Sequence, residues 1–266
     1  MKRFNRILLT AILGATTATA FAAESDVKDG PRRNYAPGSF LSSFEYEIEA
    51  GLNIGGASPL PLPAEIRKID GFNPGLNLML GVKAVKWITP DSRWGVGVGL
   101  RFETKGMTTN ATVKNYGMEI IDDGARVSGR WTGKVHTHYK TSQFTLPITA
   151  EYRITPRWTV NAGPYIALAM ENNFDGYVHD GYLREGDPTG EKAVFEGDSR
   201  AVYDFDDNLR NFQWGMMAGA SWVAYKHLSV NANLAWGCQG IFKSSFKTIT
   251  FSMYPIFLNI GFGYKF

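Results

Sequence analysis

The 266-residue sequence predicts an all-β fold, an eight-stranded antiparallel transmembrane β-barrel with an extracellular ribbon protruding between its third and fourth strands. Three observations predict it. Eight segments alternate apolar residues with small or polar ones, the period of two that marks a strand with one oily face. The links between consecutive segments are short and long by turns, the arrangement of outer-membrane barrels with tight periplasmic turns and long outer loops. Aromatic residues gather at the short-link ends, where a membrane interface holds such rings in a belt. Composition agrees. Mean hydropathy is slightly negative, at −0.19, and no internal run approaches the ~20 apolar residues of a membrane helix. Aromatics nevertheless make up 14% of the chain, beside 29 glycines, because alternation hides apolar residues from any average.

Taken in order, the chain opens with Lys2, Arg3 and Arg6 before an apolar run over 7–18, and Ala20, Phe21 and Ala22 supply a small-x-small cleavage pattern. Residues 1–22 are read as a secretory signal peptide, outside the fold. Without its three basic residues the 28 of the precursor fall to 25, against 25 acidic ones. The mature chain is then formally neutral, so its charge gives no ground for a nucleic-acid partner. The lone Cys238 cannot form an internal disulfide, and barrel closure is the bracing expected of an exported chain without one. Residues 23–43 are polar, hold two prolines and lack periodicity, the pattern of a flexible periplasmic N-terminal segment. The barrel is assigned to 44–266, with no internal linker.

The first segment sets Phe44, Tyr46, Ile48, Ala50, Leu52 and Ile54 against Glu45, Glu47, Glu49, Gly51 and Asn53. The second carries Leu76, Leu78, Leu80, Val82 and Ala84; the third Trp94, Val96, Val98, Leu100 and Phe102; the fourth Phe144, Leu146, Ile148, Ala150 and Tyr152. Trp158 to Leu168 in steps of two form the fifth, Phe212 to Trp222 the sixth, and Leu228 to Trp236 the seventh. The eighth, 254–266, runs through Ile256, Leu258, Ile260, Phe262 and Tyr264. At thirteen residues it suits a tilted strand crossing a bilayer, which needs ~9–11. Long links are expected at 56–75, 108–140, 171–210 and 239–250. Trp87, Trp94, Tyr152, Trp158, Trp222, Tyr225 and Tyr264 are the expected belt, with Phe266 beside them.

Antiparallel partners have residue numbers with a constant sum. Setting Trp94 opposite Tyr152, and so on to Phe102 opposite Phe144, gives 246 throughout and a centre at Asp123, beside Gly124. Asp-Gly is a strong hairpin signal. The third and fourth strands should therefore continue outward as a ribbon, with Tyr116, Trp131, His136 and His138 along it as candidate contacts for a partner at its unpaired edges.

The chain ends on Phe266 after Phe262 and Tyr264. This resembles the C-terminal signal of bacterial outer-membrane barrels, and the resemblance implies reading by the barrel-assembly machinery. Residues 51–81, GLNIGGASPLPLPAEIRKIDGFNPGLNLMLG, with GPYIAL at 163–168 and QWGMMAG at 213–219, resemble the PorT-like family of small outer-membrane β-barrels over roughly 44–266. The resemblance implies an eight-stranded barrel and, for one branch, association with a secretion pathway. The long link at 171–210 departs from the compact form expected of that family.

By parity Glu45, Glu47, Glu49, Lys83, Arg101, Glu103, Lys105, Glu151 and Arg153 face inward. Eight strands leave an interior just wide enough for side chains, and charges held there must be paired or hydrated. A plugging salt-bridge network is favoured over a conducting path. No catalytic, metal or cofactor site is assigned. His136 and His138 share a strand face but lack a motif. Asp204, Asp206, Asp207 and Asn208 have oxygen ligands at close spacing without the EF-hand pattern. The link at 171–210, with 11 acidic and 4 basic residues, is expected to be a solvated acidic loop. The reading is a non-enzymatic bacterial outer-membrane protein that touches outer-membrane lipid, with surface recognition as its role. An accessory part in secretion and a narrow solute channel are the alternatives.

Overall fold

The computed structural model describes residues 43–89, 91–122 and 125–266. The signal peptide and all but the last residue of the N-terminal segment lie outside the described residues, as do residues 123–124, where the hairpin turn is expected. Eleven strands form one sheet: β1 (Glu45–Pro59), β2 (Ile66–Asn73), β3 (Asn77–Trp87), β4 (Trp94–Asp122), β5 (Ala125–Arg153), β6 (Trp158–Glu185), β7 (Lys192–Phe195), β8 (Ala201–Asp204), β9 (Phe212–Tyr225), β10 (Leu228–Gly237) and β11 (Met253–Lys265). Eight of them close a ring in the order β1, β3, β4, β5, β6, β9, β10, β11, every pairing antiparallel. The β1–β11 ladder, from Glu47 opposite Lys265 to Pro59 opposite Met253, seals it. Closure leaves the ring no edge strand to pair with another chain.

The alternation sets the facing. Ile48, Leu80, Val96, Ile148, Ile166, Met216, Leu234 and Ile260 point outward and are exposed, while Glu49, Asn53, Arg101, Glu151, Asn231 and Asn259 point inward and are buried. An oily exterior around a polar interior is the arrangement a bilayer demands of a barrel. Placing an arginine at Ile260 is therefore expected to cost about 2–4 kcal/mol, as for a cation near the midplane, whereas Asn259→Ser removes only one inward amide. Urea titration of the two variants in lipid checks this, and equal midpoints would contradict the facing.

Above the rim the pattern turns inside out. On β4 the inward residues change from Lys105 to Met107, on β5 from Thr141 to Tyr139, and on β11 from Asn259 to Phe257. The Lys105 ammonium sits at this level, 5.6 Å from the centroids of both Tyr165 and Phe257. Beyond it lies a water-soluble type of core, with Trp131, Phe174, Val178, Leu183, Tyr203 and Phe205 buried together. β4, β5 and β6 have 29, 29 and 28 residues, far more than the ~9–11 that cross a bilayer, so more than half of each stands outside it.

The extension corrects four expectations. It is not a two-stranded ribbon with open edges. β6 joins β5 as far as Glu185 opposite Gly129, β2 covers β4 from Thr108 to Val113, and β8 bridges β6 to Ile121 of β4. Two strands alone could not bury an apolar face; the outer parts of β4, β5 and β6 together with β2, β7 and β8 can. The link at 171–210 is accordingly no solvated loop, because it supplies the outer half of β6, β7, β8 and much of the core. Tyr116 and Trp131 are not available to a partner, being 9% and 0% exposed. The constant-sum register holds from Trp94–Tyr152 to Val113–Gly133 and then slips by one, so that Tyr116 faces Trp131. Asn115, with φ of 56°, forms the bulge that absorbs the extra residue.

Candidate functional site

Two regions collect the residues that carry chemistry: the barrel lumen and the outer surface of the extension. In the lumen, five carboxylates meet five cations. Glu49 accepts from both Nε (3.1 Å) and Nη2 (2.9 Å) of Arg101. Glu151 pairs with Lys83 at 3.0 Å and accepts from the Thr149 hydroxyl at 2.6 Å. Glu103 pairs with Lys105 at 3.0 Å and accepts from Asn53 at 3.3 Å. Near the periplasmic mouth Glu45 meets Arg153 at 3.1 Å. Glu47 accepts from Ser229 and from Asn231 at 2.9 Å, with Lys265 at 3.9 Å. Hydrogen bonds from neighbours are what make buried ion pairs tolerable.

Glycine makes the room. A Cβ on Gly97 would come within 2.7 Å of Glu151 Oε1, and one on Gly263 would collide with the Glu47 carboxylate. Beyond the charges expected from parity, these pairs draw on Asn53, Ser229, Asn231 and Lys265, and Asn259 joins them through Asn53, to whose Oδ1 its amide donates at 3.1 Å. These share the inward parity and were legible by the same count.

The belt residues fall on two faces. Trp94 and Tyr152 pack outward at 4.6 Å between centroids, and Trp158 stacks on Trp222 at 6.1 Å. Tyr225 and Tyr264 are exposed, and Tyr264 meets Phe266 edge-on at 5.1 Å. Phe262 is also outward. Trp87 is the exception. It lines the lumen mouth, with the Arg153 guanidinium 3.9 Å above its ring, so it belongs to the plug and not to the belt. Its odd number, against the even Leu78, Leu80 and Val82, was the available signal. A second outward aromatic set went unread at the opposite end, where Phe102 packs on Phe144 at 5.4 Å and Phe212, Trp214 and Trp236 are exposed further round the ring.

On the extension, His136 stacks on Tyr177 (4.6 Å, 16°), and its Nδ1 lies 2.6 Å from Asn110 Oδ1. The Arg200 guanidinium is 4.9 Å from the Tyr177 ring, and His179 lies beside that ring at 5.6 Å. His138 Nδ1 is 3.0 Å from Asp175 Oδ1. Partial burial, then the neighbouring His138, lowers the pKa of His136 below the ordinary histidine value, so this strip carries a neutral His136 at neutral pH. Among the described residues no group of three His, Cys, Asp or Glu is placed to hold a metal ion. Asp204 and Asp206 spend their carboxylates on structure. Asp206 accepts from the Phe174 N–H at 2.6 Å and from Asn173 at 3.1 Å, and Asp204 from the Asp206 N–H at 2.9 Å.

A closed eight-stranded ring, oily outside and ion-paired within, defines a small barrel protein of the bacterial outer membrane. The chain belongs to the family described as outer membrane protein beta-barrel domain, which matches residues 29–243. No curated protein sequence matches it. Among solved structures it is similar to Ail, the attachment invasion locus protein of Yersinia pestis, solved in complex with the heparin analogue sucrose octasulfate. The identity is 11% and the TM-score 0.37, over 84% of this chain and 99% of that one. It is also similar to a major outer membrane protein from Thermus thermophilus (18%, TM-score 0.37, 84% and 100% covered). A third is OprG from Pseudomonas aeruginosa (14%, TM-score 0.34, 84% and 96% covered).

Proposed function

We propose that this outer-membrane barrel is a non-enzymatic, non-conducting anchor that presents its extracellular extension as a recognition surface for a protein or surface ligand. The observation that carries the reading is the continuation of β4, β5 and β6 well beyond the bilayer into a folded cap. A barrel serving only as a membrane plug has no need of it. The strip of His136, Tyr177, His179 and Arg200 on it offers stacking with a cationic rim. Pull-down from crosslinked envelopes, comparing the intact protein with a His136→Ala, Tyr177→Ala, Arg200→Ala triple variant, tests it. Loss of partners from the variant supports the strip, and an unchanged partner list counts against it.

The PorT-like resemblance supports a second reading, an accessory part in protein export, which would appear as secretion components among those partners. The channel alternative is disfavoured by the ion-pair plug and the apolar core stacked above it. Purified protein in planar bilayers is expected to give no discrete conductance steps; reproducible steps would remove the sealed-lumen reading.

A further inference from the structure

The barrel wall carries a seam on its outer side. β3 ends at Asn77, opposite Asn53 of β1, while β1 and β4 on either side of it continue outward. β2 takes up the vacated edge of β4, from Asn73 opposite Thr108 to Ile66 opposite Val113. Among the described strands β2 pairs only with β4, so no ladder joins β2 to the outer part of β1. Behind this seam lies a cavity of about 410 Å³, whose lining includes Ile69 and Phe72 of β2, Met107 and Val113 of β4, Val135 of β5 and Met253 of β11. Among the described residues no charged side chain lines it. Its size falls in the range of small-molecule sites, and the polar side chains of its lining are the hydroxyls of Ser58, Thr109, Tyr116 and Thr137 among an otherwise apolar wall.

The cavity is continuous with the lipid-facing surface. Ile256 lines it and belongs to the same outward row of β11 as Leu258 and Ile260. Leu76, 77% exposed, sits at the foot of the seam, and Ile69 and Phe72, each 54% exposed, stand at its mouth. Exposed apolar side chains thus stand both on the wall of the barrel below the seam and at the mouth of the cavity. We propose that the cavity takes one acyl chain of an outer-leaflet lipid, entering sideways through the seam between β1 and β2. The driving force is burial of methylene groups in an apolar cleft that water would fill poorly. This site is separate from the recognition strip and stands whether or not that strip has a partner.

The test uses the full mature chain in lipid nanodiscs containing a phospholipid with a diazirine at the end of one acyl chain. After irradiation, labels are expected on Met107, Val135 or Met253 as well as on the lipid-facing Leu80 and Leu234. Ala111→Trp, which fills the cavity from β4, should lower the cavity labels about tenfold or more, equivalent to ~1.4 kcal/mol, and leave those on Leu80 and Leu234 unchanged. Ile69→Trp at the exposed mouth provides a second variant that leaves the core packing untouched. Labels confined to the lipid-facing residues, or cavity labels equal in wild type and both variants, would overturn the proposal. So would a cavity labelled by a free diazirine fatty acid added from the aqueous side but not by the phospholipid.

Discussion

Arg101→Ala is expected to destabilise the folded barrel by about 3–5 kcal/mol, the usual cost of stranding one partner of a buried ion pair. Arg101 and Glu49 are 5% and 2% exposed, and both guanidinium contacts fall on one oxygen of Glu49. The Asn231 amide lies at 3.5 Å from the second oxygen, too long to replace a guanidinium. The cost arises from the orphaned carboxylate and not from the lost attraction. The double variant Arg101→Met with Glu49→Leu should therefore recover most of it. Urea midpoints of the reconstituted protein, followed by the shift in electrophoretic mobility on unfolding, measure both. Equal losses for the single and double variants would show that the pair contributes through packing alone.

Trp131→Ala should cost a similar ~3–5 kcal/mol, as for large-to-small changes in a packed core, but the loss should be confined to the extension. Trp131 is wholly buried and packs on Phe195 of β7, 5.7 Å between ring centroids. Gly133 and Gly181 lie against its ring, and a Cβ on either would come within 2.9 Å of the indole. The expected result is rapid proteolysis within 175–210 while the eight-stranded ring stays resistant. Trp131→Phe should do far less, since the indole N–H has no hydrogen-bond partner among the described residues to lose. Cleavage that spreads into the ring strands would mean that barrel and extension unfold as one unit.

The contrast between these two sites explains what could be read from the chain. The barrel was legible because a bilayer outside and a crowded lumen inside impose one parity on every crossing strand. Glu49 and Arg101 are named by counting alone. The extension obeys no such rule. Asn115 and Asp180 adopt left-handed backbone conformations, and register slips beside Tyr116 and Gly133 reset the parity of β4 and β5. Val178 and Leu183 therefore face the core at a spacing that no simple alternation contains. Its other walls, β2 and β8, come from distant parts of the chain, and such non-local pairing leaves no local mark. Tyr116 and Trp131 looked like exposed edge residues for that reason. Only the hairpin centre near Asp123 hinted that 108–140 was ordered.

Spin labels placed one at a time at the outward positions 258, 260 and 262 of β11 and at the inward positions Asn231 and Asn233 of β10 and Asn259 of β11, in a Cys238→Ser background reconstituted in bilayers, test the central claim most directly. A lipid-facing outer row and a sealed inner row predict collision rates with oxygen that rise at 258, 260 and 262 and fall at 231, 233 and 259, with water-soluble relaxants excluded from both. A flat profile, or water-soluble relaxants reaching the odd positions freely, would contradict a closed barrel plugged by its own ion pairs.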